Sequence, residues 1–277
     1  MRKGACAICG EVGQLTFDHV PPKGVVPPDQ VIVQAFASFI SSDATDARPP
    51  HRTHSSRSFP TLCSICNSER LGALYDPQLI AFANGVARWL RLRLDHDLSL
   101  PRDITVSAQP ASVARAVVGH MLAADENPQR ANNQPVPLRD SMQSFFLDQD
   151  GSPPSELRVH AWPYPLTQQV LLRQFAISTL GRPKYPAPVS GCLLKFFPLA
   201  FLVTRTSVEV PGTRFGLLDL STSTTADIEL PIHGAPRPSW PERIQGNEVL
   251  FLGNDVAYVA GDGPQPASAS RSRPRRR

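Results

Sequence analysis

Two Cys-x-x-Cys pairs, Cys6-Ala-Ile-Cys9 and Cys63-Ser-Ile-Cys66, constrain the first quarter of this chain more than any other feature. Four thiolates in two short knuckles match the donor set of a closed tetrahedral zinc site. The 53 residues between the pairs can loop out, because closing a longer loop adds only a logarithmic entropy cost. Zinc binding in such sites is worth roughly 10–16 kcal/mol, enough to hold a small module with little core of its own. Redox-active pairs or unrelated buried thiols are the alternatives, and two pairs in one N-terminal segment argue against both. The fifth cysteine, Cys192, lies in an apolar stretch and reads as a packed core residue.

The 277 residues suffice for one large domain or a small module plus a medium one, and 41% hydrophobic content supports a real core. The 29 prolines limit long uninterrupted helices to a few segments. Net charge is +4, but Arg271, Arg273, Arg275, Arg276 and Arg277 supply five positive charges, so any nucleic-acid contact in the body must come from local patches. Met1-Arg2-Lys3 runs into Gly4-Ala5-Cys6 with no apolar stretch, and no run approaches a membrane span. The expectation is a cytoplasmic protein without membrane contact, in which paired thiols bind metal rather than form disulfides.

Along the chain, residues 1–75 form the Cys/His module. Leu15-Thr16-Phe17 reads as a strand leading into Asp18-His19, and Gly24 to Ser58 reads as loop with one apolar patch at Val31-Ile32-Val33 and Phe36. Arg48 to Arg57 holds three Arg, His51 and His54 and no acid, which reads as a solvated basic loop. A helix begins at Asn67; Pro77 opens another through Leu94, with Arg88, Arg91 and Arg93 along it. Ala111–Ala124 and Leu138–Leu147 repeat the helical spacing. After Gly151 the pattern turns to strands, at Val170–Leu172, Phe175–Ile177, Leu193–Phe197, Phe201–Val203, Ile228–Leu230, Val249–Phe251 and, after a turn at Gly253-Asn254-Asp255, Val256–Val259. Trp162-Pro163-Tyr164-Pro165 is either a base-stacking loop or a loop packed on the core, the latter being the commoner use. The fold class is therefore α+β: the module (1–75), a mixed accessory domain that is helical first and strand-rich later (76–262), and a disordered basic tail (263–277).

Asp18-His19 stands outside the four-sulfur set, so it is available for other chemistry. Histidine takes a proton from water near neutral pH, and an aspartate holds a divalent cation. Adjacent residues on a strand point to opposite faces, so the two cannot share one job. A third group must complete a cation shell, and Asn67, directly after Cys66 at a helix start, is the best candidate. His96, His120, His160 and His233 show no metal-like spacing and are left unassigned.

Taken together, Cys6-x-x-Cys9, Leu15-Thr16-Phe17-Asp18-His19-Val20-Pro21-Pro22-Lys23 and Cys63-x-x-Cys66-Asn67-Ser68 resemble an HNH endonuclease of the zinc-bearing, treble-clef ββα-metal type, over about a quarter of the chain. The resemblance implies metal-dependent hydrolysis of phosphodiester bonds in nucleic acid, DNA in the first place, with a role in defence or mobile-element biology by analogy alone. It implies His19 as general base, Asp18 and Asn67 as ligands of Mg2+ or a similar ion, and Cys6, Cys9, Cys63 and Cys66 as ligands of structural Zn2+. Lys23, Arg52, Arg57 and Arg70 are candidate nucleic-acid contacts. The sequence departs from the family pattern where a middle Asn is expected: Arg57, Ser58 and Phe59 occupy that stretch, leaving Ser58 or a backbone carbonyl to orient His19. The competing reading is a non-catalytic zinc-stapled nucleic-acid-binding protein, which shares the cysteines and does not need Asp18-His19 to act; a third makes the module a staple for a protein-binding scaffold.

Overall fold

The first cysteine pair lies in the turn of a hairpin. Strands β1 (Arg2–Ala5) and β2 (Val12–Val20) pair antiparallel from Arg2 opposite Leu15 to Ala5 opposite Val12. The turn closes where the Gly10 N–H meets the Cys6 carbonyl at 2.9 Å, with Gly10 at φ +78°, a left-handed conformation that L side chains resist. The computed structural model describes residues 2–26, 30–36, 51–54, 56–96, 98–124, 137–179, 187–205, 207–252 and 257–261. The basic tail and the turn at 253–256 lie outside the described residues.

On its other edge β2 pairs with β5 (Arg57–Leu62), with a bulge between Thr16 and Phe17, which completes a three-stranded sheet. The second cysteine pair follows β5 and opens the helix α1 (Ile65–Tyr75), wound as a π-helix. Its last turn runs without a break into α2 (Asp76–Asp95). Pro77 sits at the junction, supplies no N–H and crowds the preceding turn, which accounts for the change of winding there.

The segment 24–58 does more than loop. Val31 and Val33 are buried within strand β3 (Gln30–Ala35), which pairs with β4 (His51–His54). β3 also pairs with β14 (Ala257–Gly261), so this part of the N-terminal quarter belongs to the large sheet. Three apolar residues in a row cannot reveal a strand whose partner lies more than 200 residues further along.

The large sheet holds nine strands among the described residues, in the order β11-β7-β10-β9-β8-β14-β3-β4, with β13 beside β8. Its centre is β7 (Arg158–Pro163), β8 (Gln169–Thr179), β9 (Val189–Phe196) and β10 (Leu199–Thr204), all antiparallel. β8 bulges between Leu172 and Phe175, pairing with β14 before the bulge and with β13 (Glu248–Leu252) after it. A two-stranded ribbon of β6 (Asp103–Ala108) and β12 (Ala226–Pro231) and the short β11 (Gly216–Leu217) complete the strands.

Both faces of the sheet are covered, so its central strands read as continuous apolar runs and not as alternation. In β10, Leu199, Phe201 and Val203 join one core, while Ala200 and Leu202 join another with Trp162, Tyr164, Phe175 and Trp240. Trp162 and Tyr164 thus pack the interior. Cys192 is buried and its S–H meets the Arg173 carbonyl. The first core continues through α3 (Pro110–Ala123), α4 (Pro137–Leu147), α2 and the cysteine hairpin. α3 is apolar nearly all round and buried nearly all round, the mark of a central helix.

The hairpin is tied to the body by polar bonds as well. Gln143 Nε2 donates to the Ala7 carbonyl at 2.9 Å, Thr61 Oγ1 donates to the Ala123 carbonyl, and the Tyr258 hydroxyl donates to the Val20 carbonyl at 2.5 Å. Replacing Tyr258 by Phe removes that buried bond and should cost about 0.5–1.5 kcal/mol, read as a lower urea midpoint with an unchanged slope.

Candidate metal centre and the strand beside it

Cys6, Cys9, Cys63 and Cys66 converge, with all four Sγ atoms within 4.8 Å of one another. Among the described residues this is the one group of three or more Cys, His, Asp or Glu ligand atoms so placed. Zn–S bonds of about 2.3 Å in a tetrahedron require sulfurs about 3.8 Å apart. Cys9 and Cys63 Sγ lie 3.8 Å apart. Backbone N–H groups point at the sulfurs, Cys63 N to Cys6 Sγ at 3.4 Å and Cys66 N to Cys63 Sγ at 3.5 Å, the kind of outer support that thiolate ligands need.

Burial and mutual hydrogen bonding make the thiols unequal. A hydrogen bond from Cys66 holds the Cys6 thiol down, to about 4, while burial pushes Cys9 up to about 11. The same bond to Cys6, with burial, pushes Cys66 up. Cys9 and Cys66 are thus disfavoured as thiolates by themselves, a penalty that a bound divalent ion would remove. The four residues fit a structural metal ion such as zinc.

Asp18 and His19 follow on β2, the strand that leaves the first cysteine turn, and face opposite ways. His19 is half-buried, directly across from Ser58 of β5. Burial and the Lys23 ammonium hold its imidazole below the ordinary histidine value, against the opposing pull of Asp18. Lys23 is exposed just beyond the strand; Arg57 stands across from Val20 with its guanidinium 5.0 Å from the Phe59 ring and 5.4 Å from that of Tyr258. Arg70 is half-buried on α1, and Arg52 is exposed on β4 in the other sheet. His51 and His54 end β4; their side chains lie outside the described residues.

Asn67 sits in the first turn of α1, its Nδ2 donating to Thr16 Oγ1 at 2.9 Å and to the Phe17 carbonyl at 3.1 Å. With both amide protons committed, Oδ1 is the atom left to accept a donor or a cation.

Asp18 points inward and is only 6% exposed. Its Oδ2 lies 2.9 Å from His120 Nδ1 on α3, and His120 Nε2 lies 2.9 Å from Asp76 Oδ1 at the start of α2. Burial works against a charged His120, but the two carboxylates prevail and hold it up, to about 10. Sequence reasoning passed over both His120 and Asp76. The only signal was a histidine within the apolar run Val117–Leu122, and nothing local says what such a residue meets.

Asp18 and Asn67 each have a partner in the fold through one side-chain atom, Asp18 Oδ2 and Asn67 Nδ2. One Asp18 oxygen is bonded to His120 inside the body, and the Asn67 amide nitrogen braces the bulge of β2 while its Oδ1 stays outside these bonds. Comparisons with protein-family models, curated proteins and solved structures gave no match.

Proposed function

We propose that the chain is a zinc-stapled nuclease of the HNH type, in which His19 activates water for attack on a nucleic-acid phosphodiester, DNA in the first place. The observation that carries this reading is the setting of His19. A knuckle in the β1–β2 turn, β5, a second knuckle and α1 follow one another as the HNH reading expects, and His19 lies on β2 with burial and Lys23 holding its imidazole below the ordinary histidine value, which favours the neutral form. A neutral imidazole can accept the proton of an attacking water. The water oxygen bonds to phosphorus, its proton goes to His19, the ester bond breaks, and the leaving oxygen takes a proton from solvent. Ser58, across from His19, stands in the stretch where the family pattern has its middle Asn, and Lys23 and Arg57 bring positive charge to the same end of β2. The zinc ion takes no part in this chemistry; it holds the hairpin and the helix together.

The test is plasmid nicking by the zinc-loaded protein, with and without added Mg2+ or Mn2+, beside His19→Ala. Loss of a general base should slow cleavage by about 10²–10⁴-fold while DNA binding persists. Equal nicking by both proteins would remove the claim. Because His19 titrates below the ordinary histidine value, the acid limb of kcat/KM should fall below pH 6.5. The engagement of Asp18 by His120 favours one other reading, a non-catalytic zinc-stapled nucleic-acid-binding protein. It predicts salt-sensitive DNA binding and no cleavage by the wild type.

A further inference from the structure

We propose that His120 is the positioning residue of the His19 site: it makes Asp18 an anchor of β2, and through that anchor α3 fixes the strand that presents His19. The inference rests on the reading of His19 as a base.

The bonds that hold β2 are distributed in a telling way. Asn67 Nδ2 meets Thr16 Oγ1 and the Phe17 carbonyl, His120 takes the Asp18 carboxylate, and the Tyr258 hydroxyl takes the Val20 carbonyl. From Thr16 to Val20 every residue is tied to another element through these bonds except His19, whose side chain is turned the other way. Consecutive strand residues share one backbone orientation, so fixing Asp18 inward fixes the rotation of the strand and aims His19 outward.

The tie at Asp18 is also the best built of the set. His120 has no exposed surface, and both ring nitrogens meet carboxylate oxygens at 2.9 Å. Donation from both nitrogens requires the imidazolium form. The helix bearing His120 cannot shift easily. A Cβ added at Gly119 would come within 2.6 Å of Phe146 and 2.8 Å of Leu71, so α3 is seated directly against α4 and α1 at this level. Of the two partners of His120, Asp18 leads to the site and Asp76 leads only to the start of α2.

That asymmetry yields the test. The Asn amide nitrogen occupies the place of histidine Nδ1, and the Gln amide nitrogen that of Nε2. His120→Asn therefore keeps the bond to Asp18, and His120→Gln keeps the bond to Asp76. Both should lower Tm. In zinc-loaded full-length protein, His120→Asn should keep nicking near wild type and leave the His19 ring Cε1–Hε1 NMR cross-peak in place. His120→Gln should displace that cross-peak and slow nicking by about 10²-fold, the cost of a misplaced catalytic group. Activity falling in both variants in step with Tm, or a His19 cross-peak that neither variant moves, would overturn the proposal. If the wild type does not cleave, the nuclease reading fails, and the cross-peak alone still decides whether His120 positions His19. Should His120→Gln not fold, Asp76→Asn carries the test. It spares the Asp18 contact, so a displaced His19 cross-peak in that variant counts against the proposal and an unmoved one supports it.

Discussion

Purified protein should carry one zinc ion per chain, and Cys66→Ser should both release it and unfold the N-terminal module. Cys66 is 1% exposed at the first turn of α1, so its sulfur joins the second knuckle to the helix and, through the ion, to the β1–β2 turn. Metal binding at such sites is worth roughly 10–16 kcal/mol, as much as or more than the whole stability of an ordinary domain at about 5–15 kcal/mol. The loss should not stay local. Cys6, Ala7, Ile8, Leu15 and Cys66 belong to the same core as α3, β9 and β10, so the body loosens when the module does. Circular dichroism and metal analysis check both points. Thiol counting gives a third readout: the loaded protein should react slowly at all five cysteines, because four are ligands and Cys192 is 2% exposed, and a chelator should release four of them first. A Cys66→Ser protein with wild-type melting behaviour would rule out the zinc staple.

Alkali should reveal the second large effect. The folded-state value of His120 is raised from 6.5 to about 10. A raised value means the imidazolium stabilises the fold fully below the unfolded value near 6.5 and progressively less as pH climbs through the folded one. The stability difference between wild type and His120→Leu should therefore be largest at or below pH 6.5 and shrink up to about pH 10. Removing one member of a buried charge cluster costs about 3–5 kcal/mol, which sets the scale of that difference at neutral pH. The C-terminal end of α3 adds to it in the same sense, with His120 in its last turn. Urea titrations of both proteins from pH 6 to 10 measure it. A difference that does not change with pH would mean that His120 is neutral and the cluster is held by dipoles alone.

The cysteine spacing by itself pointed to a metal-binding cluster, because each Cys-x-x-Cys turn places two sulfurs locally, whereas bringing the two turns together took the pairing of β2 with β5. Helix positions were legible for the same reason. Pro77 and the apolar spacing of Leu79, Phe82, Val86 and Leu90 mark α2, and those four residues are indeed buried. The alternation of faces in β2 was also legible, so the opposite orientations of Asp18 and His19 needed no coordinates. What Asp18 meets was decided only in three dimensions. Its partner lies 102 residues away on α3, in a stretch whose apolar pattern says it is buried but not against what. β3 and β4 escaped notice on the same ground: β3 pairs with β14 near the far end of the chain, and β4, with no apolar residue of its own, is a strand only because it pairs with β3. Local periodicity is written in neighbouring residues, whereas long-range pairing is written only in which surfaces remain to be covered once the helices and sheets have packed.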